Sequence, residues 1–238
     1  MNIFPAIDII DSKAVRLFKG DYNRKTIYND SPLSVAMSFK EAGAQYIHLV
    51  DLDGARSGDT PNADLISEIA RTAGLKVEIG GGIRSEKVIE RYLEAGVMRV
   101  ILGTIAIENP DFTEEMVKKY GSAIAVGIDI SDGFVATKGW TEITKVSCDE
   151  MFKRMENTGV KTVICTDISK DGAMSGTNLA LYKDLSSKYS IDIVASGGVS
   201  SIEDVKALRS MDMYGAILGK ALYEGAIDLK TAIEVTNY

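Results

Sequence analysis

Two aspartates, Asp8 in P-A-I-D and Asp129 in V-G-I-D, each end a short apolar run, and two glycine pairs, Gly81-Gly82 and Gly197-Gly198, each follow another such run. Carboxylates that face a common ligand do general acid/base work, one holding a proton while the other stays ionised. Glycine-rich turns ahead of a helix start let backbone N–H groups approach an anion closely. Together these residue types suit proton transfer on a phosphorylated ligand. The glycine pairs stand 116 positions apart, and the same offset aligns Gly43 with Gly159, Asp51 with Asp167, Asn62 with Asn178, Ser85 with Ser201 and Gly103 with Gly219 without a gap. One pair alone would be an ordinary tight turn. A whole set repeated at one offset points to a duplicated site.

The elements that must position these residues are short apolar runs alternating with longer amphipathic stretches. The runs are Ile3 to Ile7, Tyr46 to Val50, Lys76 to Ile79, Arg99 to Leu102, Ala123 to Ile128, Thr162 to Cys165, Ile191 to Ala195 and Tyr214 to Leu218. Several are apolar almost throughout, the pattern of parallel strands covered on both faces. The stretches between them begin with helix-start signals, such as Ser85-Glu86 and Ser201-Ile202-Glu203. Eight β-α units in 238 residues predict a single (β/α)8 TIM barrel over residues 1–238, made of two half-barrels of about 1–120 and 121–238. In such a barrel the C-terminal strand ends form the active-site face.

On that face the third and fourth runs end in G80-G81-G82-I83-R84 and G103-T104, and the seventh and eighth in S196-G197-G198 and G219-K220. Two phosphate cradles on opposite sides of one mouth imply an elongated ligand with a phosphate at each end. Asp8 and Asp129, from the first and fifth runs, would lie under its middle. Residue identity alone does not assign which is acid and which is base. His48, Asp51 and Asp167 are expected to orient neighbours more than to touch ligand, and Thr166 either bonds a substrate hydroxyl or fills its strand.

Composition narrows the chemistry. A net charge of −7 argues against nucleic acid or an anionic membrane as partner, though not against small anions bound by local N–H groups. No stretch approaches a membrane span, and the start M-N-I-F-P-A-I-D is not a signal peptide. Two cysteines, Cys148 and Cys165, make no disulfide framework, so a reduced, cytoplasmic protein is expected, and a monomer is expected besides. One histidine leaves no His-rich metal site and no Ser-His-Asp hydrolase, and no dinucleotide or Walker motif is present; neither metal nor cofactor is expected.

The stretches P5-A-I-D-I-I-D, A14-V-R-L-F-K-G-D-Y, I47-H-L-V-D-L-D-G-A, G81-G-I-R, L102-G-T, V126-G-I-D, K138-G-W-T-E, T166-D-I-S-K-D-G, S196-G-G-V and G219-K-A-L-Y closely resemble the histidine-biosynthesis isomerases that act on phosphoribosylformimino-aminoimidazole carboxamide ribotide (ProFAR). The glycine motifs are shared with a sister family, the cyclase subunit of imidazole-glycerol-phosphate synthase. A-I-D, V-R-L and G139-W140 favour the isomerase. Departures are Ser12, where glycine is usual, and F18-K19, where a bulky residue and Gln are common. The resemblance implies an Amadori rearrangement of an aminoaldose bisphosphate to an aminoketose, with Asp129 protonating the ring oxygen and Asp8 removing the C2′ proton. It also implies that Arg16 and Trp140 sit on loops that face the substrate and close over it, the indole stacking on the imidazole, and that Asp171 and Gly172 join the binding set. The alternatives are the cyclase and a sugar-phosphate-binding barrel without catalysis.

Overall fold

The computed structural model describes residues 1–18 and 20–237. Lys19, one of the residues at which the sequence departs from the isomerase pattern, lies outside the described residues. Twelve strands are present among those described: β1 (Asn2–Ile10), β2 (Lys13–Phe18), β3 (Asp21–Asn29), β4 (Tyr46–Asp51), β5 (Lys76–Gly80), β6 (Arg99–Leu102), β7 (Ile124–Ser131), β8 (Phe134–Thr137), β9 (Glu142–Ser147), β10 (Thr162–Asp167), β11 (Asp192–Ser196) and β12 (Gly215–Leu218). Eight of these pair in parallel in the order β1-β4-β5-β6-β7-β10-β11-β12, and β12 closes on β1 through Asn2 opposite Gly215. This is the (β/α)8 barrel expected from the alternation, each apolar run supplying one stave.

The staves are parallel and buried because their sequences leave no polar face: every residue of β10, T-V-I-C-T-D, is buried. Helices such as Glu86–Glu94, Cys148–Thr158 and Ile202–Ser210 pack outside them. Two of these starts carry reciprocal capping boxes, Ser147 with Glu150 and Ser201 with Asp204. The apolar interior divides accordingly. One large cluster lies between staves and helices, and a smaller one, with Phe4, Ala6, Ile101, Ala125, Ile164, Val194 and Ile217, fills the barrel itself. Filling by small and medium side chains leaves the upper barrel open as a mouth.

The two segments read as long loops are hairpins instead. Strand β2 folds back antiparallel on β1, with Asp8 opposite Val15, and β3 pairs with β2; β8 and β9 repeat the arrangement on β7, with Asp129 opposite Ala136. Each begins with a two-residue turn whose central residues are left-handed: Asp11 (φ 50°) and Ser12 (φ 60°) in one, Asp132 (φ 49°) and Gly133 (φ 83°) in the other. That is the turn type that matches the twist of the strands it joins. Arg16 therefore stands on a strand, held in register beside the first stave.

Candidate active site

A cavity of about 250 Å³ opens at the C-terminal ends of the staves. Asp8, Arg16, Asp129, Trp140 and Thr166 line it together. Gly81, Gly82, Arg84, Gly103 and Thr104 form one side, and Asp171 and Ser196 lie on the other. The last expected cradle residues, Gly172, Gly197, Gly198, Gly219 and Lys220, surround a second cavity that shares Arg16, Asp171 and Ser196 with the first. It measures about 20 Å³, room for little more than one water. The Arg16 guanidinium is what closes it, since it lies where a Cβ on Gly219 would be. Lys220 Nζ donates to the Gly172 carbonyl at 3.1 Å across the same space. Any group larger than a water enters this space only as Arg16 yields room.

The two aspartates sit in equivalent places but in different company. Asp8 Oδ1 is 3.0 Å from Arg16 Nη1, both side chains largely buried, an ion pair that exists only with the carboxylate ionised. Among the described residues no cation stands at that distance from Asp129; Trp140 Nε1–H donates to its Oδ2 at 2.8 Å, and the Thr166 hydroxyl, on the adjoining stave, is a second hydrogen-bond partner. Burial pushes the Asp129 carboxyl above the usual carboxylate range, and the Trp140 and Thr166 hydrogen bonds pull it only part of the way back. Asp171 is likewise raised by burial, with Arg16 opposing and Asp8 and Asp129 adding to the rise. The mouth thus holds one ion-paired carboxylate and two carboxyls biased towards the protonated form.

Asp51 and Asp167 point away from both cavities into their own loops. Asp51 accepts from Gly54 N at 2.9 Å and Asn62 Nδ2 at 2.8 Å; Asp167 accepts from Ser169 Oγ at 2.6 Å and Asn178 Nδ2 at 2.7 Å. The duplicated Asp–Asn pairs are loop ties. The glycine pairs have a related reason. Gly81 (φ 106°) and Gly197 (φ 90°) lie against the Asp51 and Asp167 carbonyls, and Gly82 and Gly198 against the Gly54, Asp59 and Gly176 carbonyls, so closely that any Cβ would collide. Tight packing of neighbouring loops requires these four glycines whether or not an anion binds. Gly103 is different, because a Cβ there would meet no atom of the described residues within 4 Å. Its missing side chain leaves space on the cavity side.

Sequence reasoning passed over three features. Gly20 lies so close to the Trp140 ring that a Cβ would strike it, which ties the two hairpins together over the mouth. Lys138 N–H donates to Thr104 Oγ1 at 3.0 Å, joining the Trp140 turn to the first cradle. Glu78 and Arg99 face the barrel interior beneath His48, and the signal for them was legible: a charged residue inside one apolar run and another at the start of the next.

A family model described as "Histidine biosynthesis protein" matches residues 2–228. The chain belongs to this family. Among curated members, a protein of Lactococcus lactis subsp. cremoris (strain SK11) is 50% identical, with 100% of this chain and 97% of the relative covered. One from Clostridium beijerinckii is 51% identical, with 100% and 99% covered, and one from Brachyspira hyodysenteriae 50% identical, with both covered in full. All three family members are named 1-(5-phosphoribosyl)-5-((5-phosphoribosylamino)methylideneamino) imidazole-4-carboxamide isomerase, the chemical name of ProFAR isomerase.

Proposed function

We propose that this chain is an isomerase that converts ProFAR, an aminoaldose carrying a phosphate at each end, into the corresponding aminoketose by acid/base catalysis in the barrel mouth. The likeness to named isomerases along the whole chain supports the reaction. The observation that carries the mechanism is the unequal setting of Asp8 and Asp129 within one cavity.

With a proton on Asp129, the carboxyl donates it to the ribose ring oxygen as the C1′–O bond breaks, and the nitrogen lone pair forms the C1′=N bond of a protonated Schiff base. Asp8, ionised beside Arg16, removes the proton from C2′, and the electron pair moves through the C1′=C2′ bond to quench the iminium. The enolamine then takes a proton at C1′ as its 2′-hydroxyl gives one up, and becomes the C2′ ketone. No redox cofactor is consumed, since the aldose carbon is reduced as its neighbour is oxidised. One phosphate rests against Gly103 and Thr104 near Arg84, the other against Gly198, Gly219 and Lys220. Trp140 stacks on the imidazole once it leaves Asp129, and the hairpin tips exclude water from the Schiff base.

Both cradles and both aspartates belong to one chain, so a monomer suffices. No helix among the described residues is long and apolar enough to cross a membrane. Two free, buried cysteines fit a reducing cytoplasm.

The test is product analysis on purified protein given ProFAR, with and without ammonia. Ketose formation indifferent to ammonia is expected. A cyclised product that needs ammonia, or no turnover at all, overturns the isomerase reading.

A further inference from the structure

The lower wall of the cavity is formed by Ala6, Ile101, Gly127, Ile164 and Ile217, and His48 is the polar side chain among them. Small residues at Ala6, Gly80 and Gly127 leave the shaft open down to its ring. His48 Nδ1 lies 2.7 Å from Glu78 Oε1, and the other carboxylate oxygen takes two bonds from Arg99, at 3.0 Å from Nε and 2.6 Å from Nη2. Arg99 is itself anchored to Thr162 Oγ1 at 2.9 Å, on β10, two staves away. Glu78 is fully buried and Arg99 is 4% exposed.

Such a network needs a reason, because a buried ion pair adds little to stability compared with apolar packing of the same volume. At the 116-residue offset, His48, Glu78 and Arg99 correspond to Ile164, Val194 and Gly215, so the barrel closes on its other side without any charge. Packing does not demand the polar set.

The contact with Glu78 orients the imidazole: Arg99 already balances the Glu78 charge, and Nδ1 is the ring atom that faces the carboxylate. Burial alone would raise the Glu78 carboxyl, but the hydrogen bonds it takes from His48 and Arg99, with the Arg99 charge beside it, hold it below the usual range, so it accepts. Nδ1 then carries the hydrogen, and Nε2, the remaining ring nitrogen, presents a lone pair to the cavity. Above it the mouth offers a further acceptor in the ion-paired Asp8, with the Asp129 and Asp171 carboxyls beside it. A ligand segment rich in hydroxyl donors suits that lining.

We propose that His48 is a substrate-binding residue that accepts a hydrogen bond through Nε2 from a sugar hydroxyl at the middle of the ligand, with Glu78 and Arg99 as the buried pair that fixes its ring and tautomer. The assignment rests on the isomerase reading for the nature of the ligand. It makes Glu78 a positioning residue acting through His48.

His48 is the only histidine in the chain, so 15N-histidine labelling gives a spectrum of one imidazole. The free protein is expected to show a protonated Nδ1 and an unprotonated Nε2, and saturation with the aminoketose bisphosphate is expected to move the Nε2 signal. A protonated Nε2 in the free protein, or an Nε2 signal unmoved at saturation, overturns the proposal. Saturation is followed separately by Trp140 fluorescence: failure to bind at all counts against the isomerase reading, whereas binding with a silent Nε2 counts against His48 alone. His48→Asn supplies the second arm, since an asparagine amide reaches Glu78 from the position of Nδ1 but has nothing at Nε2. The folded variant is expected to lose about ten-fold in kcat/KM, the scale of one hydrogen bond. A folded His48→Asn within two-fold of the parent contradicts the assignment.

Discussion

The first four staves and the last four carry the same frame and unequal chemistry. At corresponding points both have an aspartate at a stave end, a hairpin folded over it, an Asp–Asn loop tie and a glycine pair pressed against neighbouring carbonyls. The aspartate of the first half is neutralised by Arg16, while that of the second accepts from Trp140, a donor without charge. The barrel floor is charged on one side and apolar on the other. The lesson is that backbone geometry constrains both halves alike, since loop packing cannot tolerate change, whereas side chains reaching the mouth give the two carboxyls unequal surroundings.

The largest test of this comparison is removal of either carboxyl. Asp8→Asn and Asp129→Asn are each expected to stay folded while kcat falls by about 10²–10⁴, the scale of a lost general acid or base. Stability should separate the two. A buried carboxyl raised above its unfolded value contributes stability that is present at low pH and lost as pH rises through the folded value. Asp129→Asn should therefore melt above the parent at neutral pH, with the excess vanishing towards about pH 4, near an unperturbed Asp. A lowered melting temperature at neutral pH would break the assignment of a protonated Asp129.

Next come the two kinds of glycine. Gly81→Ala forces a side chain onto the Asp51 carbonyl at φ 106° and is expected to destabilise by about 2–4 kcal/mol, measured by urea unfolding. Gly103→Val adds a side chain where no atom of the described residues stands within 4 Å, so the fold should hold while KM rises at least about ten-fold as phosphate loses its seat. An unchanged KM would leave Gly103 without a ligand role.

A smaller effect is expected from Trp140→Phe, which removes the Nε1–H bond that favours the ionised form of Asp129. The carboxyl then rises further, and the falling alkaline limb of kcat/KM should move to higher pH, by about one unit for one such hydrogen bond. A shift in the opposite direction would show that another group governs that limb.

The smallest concerns the hairpin turns. Ser12 adopts φ 60° where its counterpart is Gly133, and a left-handed serine costs about 1 kcal/mol. Ser12→Gly is expected to stabilise by up to about that amount, visible as a small rise in melting temperature without change in activity.

How much of this could be read from the chain depends on the kind of signal. The staves announced themselves because burial on both faces leaves an apolar run, and the offset of 116 exposed the loop ties and glycines before any coordinates. The hairpins did not, since β3 is D-Y-N-R-K-T-I-Y-N, mostly exposed and without a buried face to impose alternation. The purpose of the glycine pairs was also hidden, because a glycine needed for packing and one needed for an anion look alike in sequence. Arg16, Trp140 and the aspartates line one cavity, but the Arg16–Asp8 pair and the Trp140–Asp129 bond arise from side chains meeting across strands, which spacing along the chain does not encode.

The central claim, an ionised Asp8 and a protonated Asp129 acting on one ligand, is tested most directly by the pH dependence of kcat/KM in the parent and in the two asparagine variants, with enough enzyme to follow the residual rate. A bell-shaped profile is expected for the parent. Asp8→Asn should lose the rising acid limb and keep the alkaline one, and Asp129→Asn should lose the alkaline limb and keep the acid one. The reverse pattern would exchange their roles, and a bell retained in either variant, or more than about a tenth of the parental kcat, well inside the loss expected for such a group, would contradict the account.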